Sequence, residues 1–194
     1  MTRSGNIIKI LLLLIVGGLA SPLASQDTAL LKQMLSTMES FSSFRATITI
    51  NNTINGQLSY KRPNLLHVKF SDGRIISANG RFLWFYSPAK AIAGKQDLDG
   101  STSGLNGLLG GYENVSVTGN TIHLKSTSRY YQEITVVVDE QKRLKALRLK
   151  KPDQEYTNIS FSGVQVNIGL PSNLFNLHPP SSAQIIENPL NQKE

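Results

Sequence analysis

The sequence predicts a mainly β domain: an antiparallel meander, curled into a barrel or a strongly bent sheet and served by one amphipathic helix. Three observations carry this. Between residues 44 and 162, apolar side chains recur at every second position in short runs separated by turn-forming residues. Ahead of them, residues 30–41 hold apolar side chains at helical spacing instead. The run 82–86 is apolar or aromatic at every position, so that strand needs cover on both faces.

Residues 1–25 read as a secretory signal. Arg3 and Lys9 supply a basic start, residues 10–16 are unbroken apolar sequence, and small residues follow at Ala20, Ala24 and Ser25. A cut after any of these three is compatible with the pattern. The apolar run is shorter than the roughly 20 residues of a spanning helix, and an uncleaved anchor is the alternative reading. Residues 26–180 are enough for one domain with one core, and 181–194 form a polar tail.

Asp27 or Thr28 can cap the helix, which carries Leu30, Leu31, Met34, Leu35, Met38 and Phe41 and ends at Ser42 and Ser43. From Phe44 the period becomes two. Phe44, Ala46, Ile48 and Ile50 share one face, and Arg45, Thr47 and Thr49 take the other. Residues 51–55 turn, Gly56 closes the turn, and a second strand runs from Leu58 to Lys61. Pro63 interrupts the ladder, after which Leu66, Val68 and Phe70 face one way and His67 and Lys69 the other. The hairpin signals Asp72-Gly73 and Asn79-Gly80 bracket a short strand, and the aromatic strand 82–86 follows.

Residues 88–111 differ in kind. They hold Gly94, Gly100, Gly104, Gly107, Gly110 and Gly111, with Leu105, Leu108 and Leu109 giving a turn or two of weak helix. This is either a mobile element that covers apolar surface part of the time or a plain surface loop. Strands resume at 114–118 and 121–126, then at 133–138, 144–150 and 156–162. Leu174, Phe175 and Leu177 can dock before Pro179. The tail beyond Ser181 reads as polar and loose apart from Ile185 and Ile186.

Composition removes several function classes. Cysteine is absent, which excludes disulfides, thiol catalysis, cysteine metal sites and lipidation of an N-terminal cysteine. His67, His123 and His178 have no ligand companion at metal-binding spacing and read as surface or rim residues. No nucleophile elbow, phosphate loop or dinucleotide fingerprint occurs, so no catalytic residue, metal or cofactor is expected. The formal net charge is +7, and Arg3 and Lys9 leave with the signal. The excess is ordinary solubility charge, or it steers the protein to acidic partners or an anionic membrane face. Its densest patch holds Lys142, Arg143, Lys145, Arg148, Lys150 and Lys151, alternating with Leu144, Leu147 and Leu149 like the wet face of a strand. No motif for reading nucleic acid accompanies it.

What remains is apolar surface in excess. A curled sheet of about ten strands leaves interior room that short side chains and one helix do not fill. From the residues alone, a binding container and a dry, closed core are both open.

Gly56, Gln57 and Leu58, the corner Lys61, Arg62, Pro63, Asn64, and the stretch from Ile75 through Asn79, Gly80 and Trp84 to Pro88 resemble the LolA-type periplasmic carriers of outer-membrane lipoproteins. The resemblance is specific over 56–88, weaker over the helix and Phe44, and topological after Gly111. It implies an incomplete antiparallel β-barrel with an α-helical lid over a hydrophobic cavity. Lid positions would be Leu31, Met34, Leu35 and Met38 on the first helix, and Leu105, Leu108 and Leu109 on the second. Arg62 matches the arginine that latches the lid. The acyl-chain cavity would be lined by Phe44, Ala46, Ile48, Leu66, Val68, Phe70, Trp84 and Tyr86, with Trp84 either lining it or packing beneath. Asn79 stands where the family often has Asp, and the lid segment is richer in glycine. The resemblance further implies a monomeric periplasmic protein that is not an enzyme. It would receive acylated lipoproteins from an inner-membrane ABC transporter and pass them to an outer-membrane acceptor. A carrier or sensor of another amphiphile, such as a glycolipid, is the alternative on the same fold.

Overall fold

The computed structural model describes residues 28–98 and 108–189. The signal segment, Asp27 and Leu105 lie outside the described residues. Helix α1 (Ala29–Ser40) precedes strands β1 (Ser43–Ile50), β2 (Ile54–Lys61), β3 (Leu65–Phe70), β4 (Ile75–Asn79), β5 (Phe82–Ser87) and β6 (Ile92–Asp97). Then come β7 (Asn114–Thr118), β8 (Thr121–Lys125), β9 (Glu133–Val138), β10 (Leu144–Lys150), β11 (Tyr156–Val166) and β12 (Gln184–Glu187). All belong to one sheet in the order β12-β6-β5-β4-β3-β2-β1-β11-β10-β9-β8-β7. Every pairing is antiparallel except β12 on β6.

The order shows why the barrel is incomplete. β12 and β7 are the two margins and do not pair with each other. Register shifts at Arg45/Thr47 and at Leu144/Ala146 mark irregularities in the ladder, a device that bends a sheet. The alternation read from the sequence sets the inner face. Ala46, Ile48 and Ile50 of β1, Leu66, Val68 and Phe70 of β3, Ile134, Val136 and Val138 of β9, and Leu144, Leu147 and Leu149 of β10 are all buried. All but Ala46 form one apolar cluster with Leu31 and Met34 of α1 and with Leu108 and Leu109. Helix α1 therefore lies in the hollow of the sheet. Its stripe at 31 and 34 enters the core, and Leu30, Leu35 and Met38 pack against the core at its edge.

The opposite face divides in two. Over β2–β6 it is covered. Ser77 and Ala93 are 0% exposed although their neighbours in sequence point inward. The cover is the chain after β11, which is stapled strand by strand. Ser43 Oγ donates to the Ile168 carbonyl (2.6 Å), Lys61 Nζ to the Leu170 carbonyl (3.0 Å) and Ser77 Oγ to the Phe175 carbonyl (2.8 Å). Leu170 and Phe175, the latter in the 3₁₀ turn Ser172–Phe175, are buried by this arrangement. The run 82–86 is covered in part: Leu83 is buried on the inner face, and Trp84 and Tyr86 are half-buried on the other. Over β8–β11 the outer face is polar and carries Lys125, Arg148, Asn158 and Ser160.

Two segments depart from the expectation. Residues 88–111 are not a continuous loop, since β6 occupies 92–97 between β5 and β12. The tail is tied down through residue 188. Gln184 N donates to the Ala91 carbonyl (2.8 Å), and the Asn188 side chain bonds both the backbone N and the carboxylate of Asp97 (2.9 Å each). The basic patch on β10 exposes both Lys145 and Arg148, which differ in parity; the register shift between Leu144 and Ala146 allows it. Much of its charge is met locally. Arg143 pairs with Asp139 (2.7 Å), Lys150 with Glu133 (3.1 Å), Lys151 with Glu155 (2.7 Å), and Arg148 sits 4.0 Å from the centre of the Tyr156 ring.

Phe175 tests the outer layer. Phe175→Ala removes the buried ring that closes β3 and β4 from outside and is expected to cost about 3–5 kcal/mol in urea unfolding. A loss under about 1 kcal/mol would mean that the arm contributes little to the fold.

Candidate functional site

The site is the inner face of the sheet together with the two elements that fill it. Ala46, Ile48, Leu66, Val68 and Phe70 come together there, all buried. Phe44 is half-buried at the end of the same row, its ring 5.3 Å from that of Tyr60. In register, Leu66 lies opposite Ala78 and Val68 opposite Ile76, and Ala78 lies opposite Leu83, so the row continues across β4 and β5.

Trp84 and Tyr86 do not join that row. Leu83 is 0% exposed on the inner face and Phe85 packs against the core beside it, so the side chains between them point outward. Trp84 is paired with Ser77 and Lys95, and the Lys95 ammonium lies 4.5 Å from the Phe82 ring and 6.0 Å from the Trp84 ring. Tyr86 alternates outward with Trp84, although its atoms reach the edge of a cavity at this margin. The β5 contribution to the inner face is therefore Leu83 and Phe85. An unbroken aromatic run carries no phase of its own, and the pairing with β4 supplies it.

Leu31, Met34, Leu108 and Leu109 all project into the cluster, and Leu35 and Met38 flank it. These lid positions thus share one destination from two separate parts of the chain. The Arg62 side chain is exposed, and its described side-chain partner is Tyr60. Burial pushes the Tyr60 phenol up, Arg62 pulls it back by its charge and a hydrogen bond, and Glu39 in the last turn of α1 pushes it up further. The Tyr60 hydroxyl donates to the Pro63 carbonyl at 3.0 Å.

A second arginine, unmarked by the sequence, holds the other lid element. Arg129 donates from Nη2 to the Gly110 carbonyl, immediately after Leu109, and its guanidinium lies 5.7 Å from the Tyr112 ring centre. Gly111 has φ +72°, and a Cβ there would stand 2.9 Å from the same guanidinium nitrogen, so the position requires glycine on two counts. The Tyr112 hydroxyl donates to the Tyr131 carbonyl at 2.9 Å, and burial raises the Tyr112 phenol to about 12. Glu113 accepts from Ser126 (3.0 Å) and Ser128 (2.8 Å). The Gly110-Gly111 pair before a tyrosine was the available signal, but its partner at 129 is distant in sequence.

Among the described residues no cluster of His, Asp or Glu suits a metal, and no helix is long and apolar enough to cross a membrane. Burial and the Lys69 charge hold His67 below its usual value, so the imidazole is mostly neutral at physiological pH. The site is an apolar surface filled by side chains from two separate elements, α1 and residues 108–109.

Arg129→Ala should loosen the second lid element. Hydrogen exchange of the 108–112 amides is expected to rise about tenfold, corresponding to one charged hydrogen bond lost, while strands β1–β3 keep their protection. Unchanged exchange at 108–112 would remove Arg129 from lid control.

A structure of an uncharacterized conserved protein from Thermus thermophilus superposes with a TM-score of 0.58 at 9% identity, covering 84% of this chain and 99% of that one. At that identity the likeness speaks for the fold. A LolA superfamily protein from Nitrosomonas europaea matches at TM-score 0.45 and 13% identity, over 79% of this chain and 99% of that one. The Mycobacterium tuberculosis lipoprotein LppX matches at 0.47 and 12%, over 75% of this chain and 97% of that one. No curated protein matches the sequence. Residues 42–178, from the end of α1 to just short of the tail, match the family model described as outer membrane lipoprotein carrier protein LolA, and the chain belongs to that family.

Proposed function

We propose that this protein is a periplasmic carrier that takes the acyl chains of lipoproteins onto the inner face of its sheet and ferries them from the inner to the outer membrane. The observation that carries the reading is the filling of that face. Leu31, Met34, Leu108 and Leu109 occupy it from two separate lid elements, while the margins β12 and β7 stay unpaired. Residues held by a helix and a glycine-flanked segment can leave without breaking the ladder of the sheet.

The energetics favour transfer over catalysis. Each methylene removed from water is worth roughly 0.8 kcal/mol, so several acyl chains in water would cost tens of kcal/mol. A carrier has to offer nearly as much apolar surface as the membrane. On this reading an ATP-driven inner-membrane transporter loads the protein, an outer-membrane acceptor with a better site empties it, and the protein works as a monomer. Arg62 is the first latch. On this reading it acts through Tyr60, whose phenol it meets by charge and a hydrogen bond at the β2–β3 corner, within electrostatic reach of Glu39 in the last turn of α1.

Mass spectrometry of the protein taken from its own periplasm, under native and then denaturing conditions, tests the cargo. A co-purifying acylated protein is the expected result. A free lipid or glycolipid would replace the cargo while keeping the carrier, and an empty protein that also fails to take up a hydrophobic dye would end the reading. Leu66→Glu places a carboxylate in the apolar row and is expected to abolish acyl binding and lower the melting temperature. Thr47→Glu, exposed on the other face of β1, should leave binding intact. Equal binding by both variants would show that the inner face is not the site. Arg62→Leu should melt like the wild type yet load or release its cargo abnormally; normal transfer by this variant removes the latch.

A further inference from the structure

Toward the β12 margin the inner face is not filled. There, between β3, β5, β6 and β12, a cavity of ≈190 Å³ is walled by Phe70, Ile76, Phe85, Ile92, Ile186 and Pro189. Arg74 and Ser87 are also among its wall residues.

Two glycines hold this slot open. A Cβ on Gly56 would stand 3.0 Å from Cδ1 of Phe70, and a Cβ on Gly94 would stand 2.6 Å from Cδ2 of Phe85 and 3.1 Å from Cγ of Pro189. The contacts follow the pairings Gly56↔Phe70 and Gly94↔Phe85. The Phe70 ring therefore leans over β2 and the Phe85 ring over β6, away from β4 between them. The space over Ile76 is what the two rings leave. Any larger residue at 56 or 94 would push a ring back toward it.

Its size and lining select the occupant. Pockets that enclose a whole small ligand run to about 300–1,000 Å³, so this slot takes part of a larger molecule. The wall is mainly aliphatic and aromatic, with Arg74 and Ser87 as polar members and no carboxylate or amide side chain, so the part it takes is hydrocarbon. The slot is also continuous with the row through Ile76 and Phe70, both members of the core cluster.

We propose that this slot seats one unbranched acyl chain, tail inward, while α1 and Leu108–Leu109 still cover the rest of the inner face. The inference rests on the carrier reading and gives it a first step. One chain docks at the β12 margin before the lid moves, and its seating begins to displace the lid from the adjoining row.

The full-length mature protein is mixed with palmitic acid carrying a photoreactive diazirine at its methyl end, irradiated, and mapped by peptide mass spectrometry. Adducts are expected to concentrate on the peptides holding Phe70, Ile76, Phe85, Ile92 and Ile186. Gly94→Ala and Ile76→Phe should each lower that labelling at least about tenfold, the equivalent of roughly two methylenes expelled. Saturable labelling concentrated on β8–β10 instead would overturn the slot and leave the carrier reading standing. No saturable labelling anywhere would overturn both. A folded Gly94→Ala protein labelled like the wild type would also overturn the slot. The wild-type map decides the matter alone if either variant fails to fold.

Discussion

Everything in this molecule depends on a sheet that curls without closing. A closed barrel hides its own interior, because each strand has two neighbours and the hollow is packed from all sides. Here β12 and β7 end the sheet on opposite sides, and the concave row from Leu144 and Val136 through Ile48 to Leu83 has no partner in the sheet itself. Apolar surface on that scale does not stay in water. Helix α1 and the Leu108–Leu109 segment are what the chain supplies in place of the missing closure, and neither is part of the ladder.

The outer face makes the same point by contrast. Over β2–β6 it is also apolar in part, but its cover is permanent. The arm after β11 is bonded to successive strands at Ile168, Leu170 and Phe175, and the chain end is bonded to β6 through Asn188. The inner face is instead filled by buried side chains of α1 and of residues 108–109, and Arg129 bonds the Gly110 carbonyl beside the latter. The outer face is thus bonded to its roof at β1, β2 and β4, and the inner face is filled by side chains that lie outside the ladder.

Much of this was legible in the sequence where the period was clean. The rows 44-46-48-50 and 66-68-70 fell on the inner face because strict alternation fixes phase as well as type. The two-sided burial of β5 followed from a run without polar residues. That same lack of alternation hid which of its side chains look inward: Trp84 stayed open between lining the cavity and packing beneath it, and Tyr86, expected to line it, alternates outward while its atoms reach the cavity at the β12 margin. β6 was invisible because Ile92, Ala93, Gly94, Lys95, Gln96 and Asp97 neither alternate nor favour strand, and only pairing between β5 and β12 makes them one. β12 is equally context-made, being four residues in parallel register at the margin. The Arg129 clamp joins residues far apart in sequence, which no local pattern announces.

The balance between lid and cargo can be put on one scale. Four fully buried side chains, Leu31, Met34, Leu108 and Leu109, at about 1.5–3 kcal/mol each, give the closed state roughly 6–12 kcal/mol of cover. One acyl chain of about 16 carbons gains roughly 12 kcal/mol on full burial at about 0.8 kcal/mol per methylene. A single chain therefore roughly matches the lid, and two or three exceed it. On the carrier reading, the empty protein is then stable in water without being locked, and a ligand with one tail is about evenly matched with the lid. A ligand with several tails would displace the lid outright, so on that reading the number of chains on the cargo, more than any polar recognition, decides whether the sheet opens.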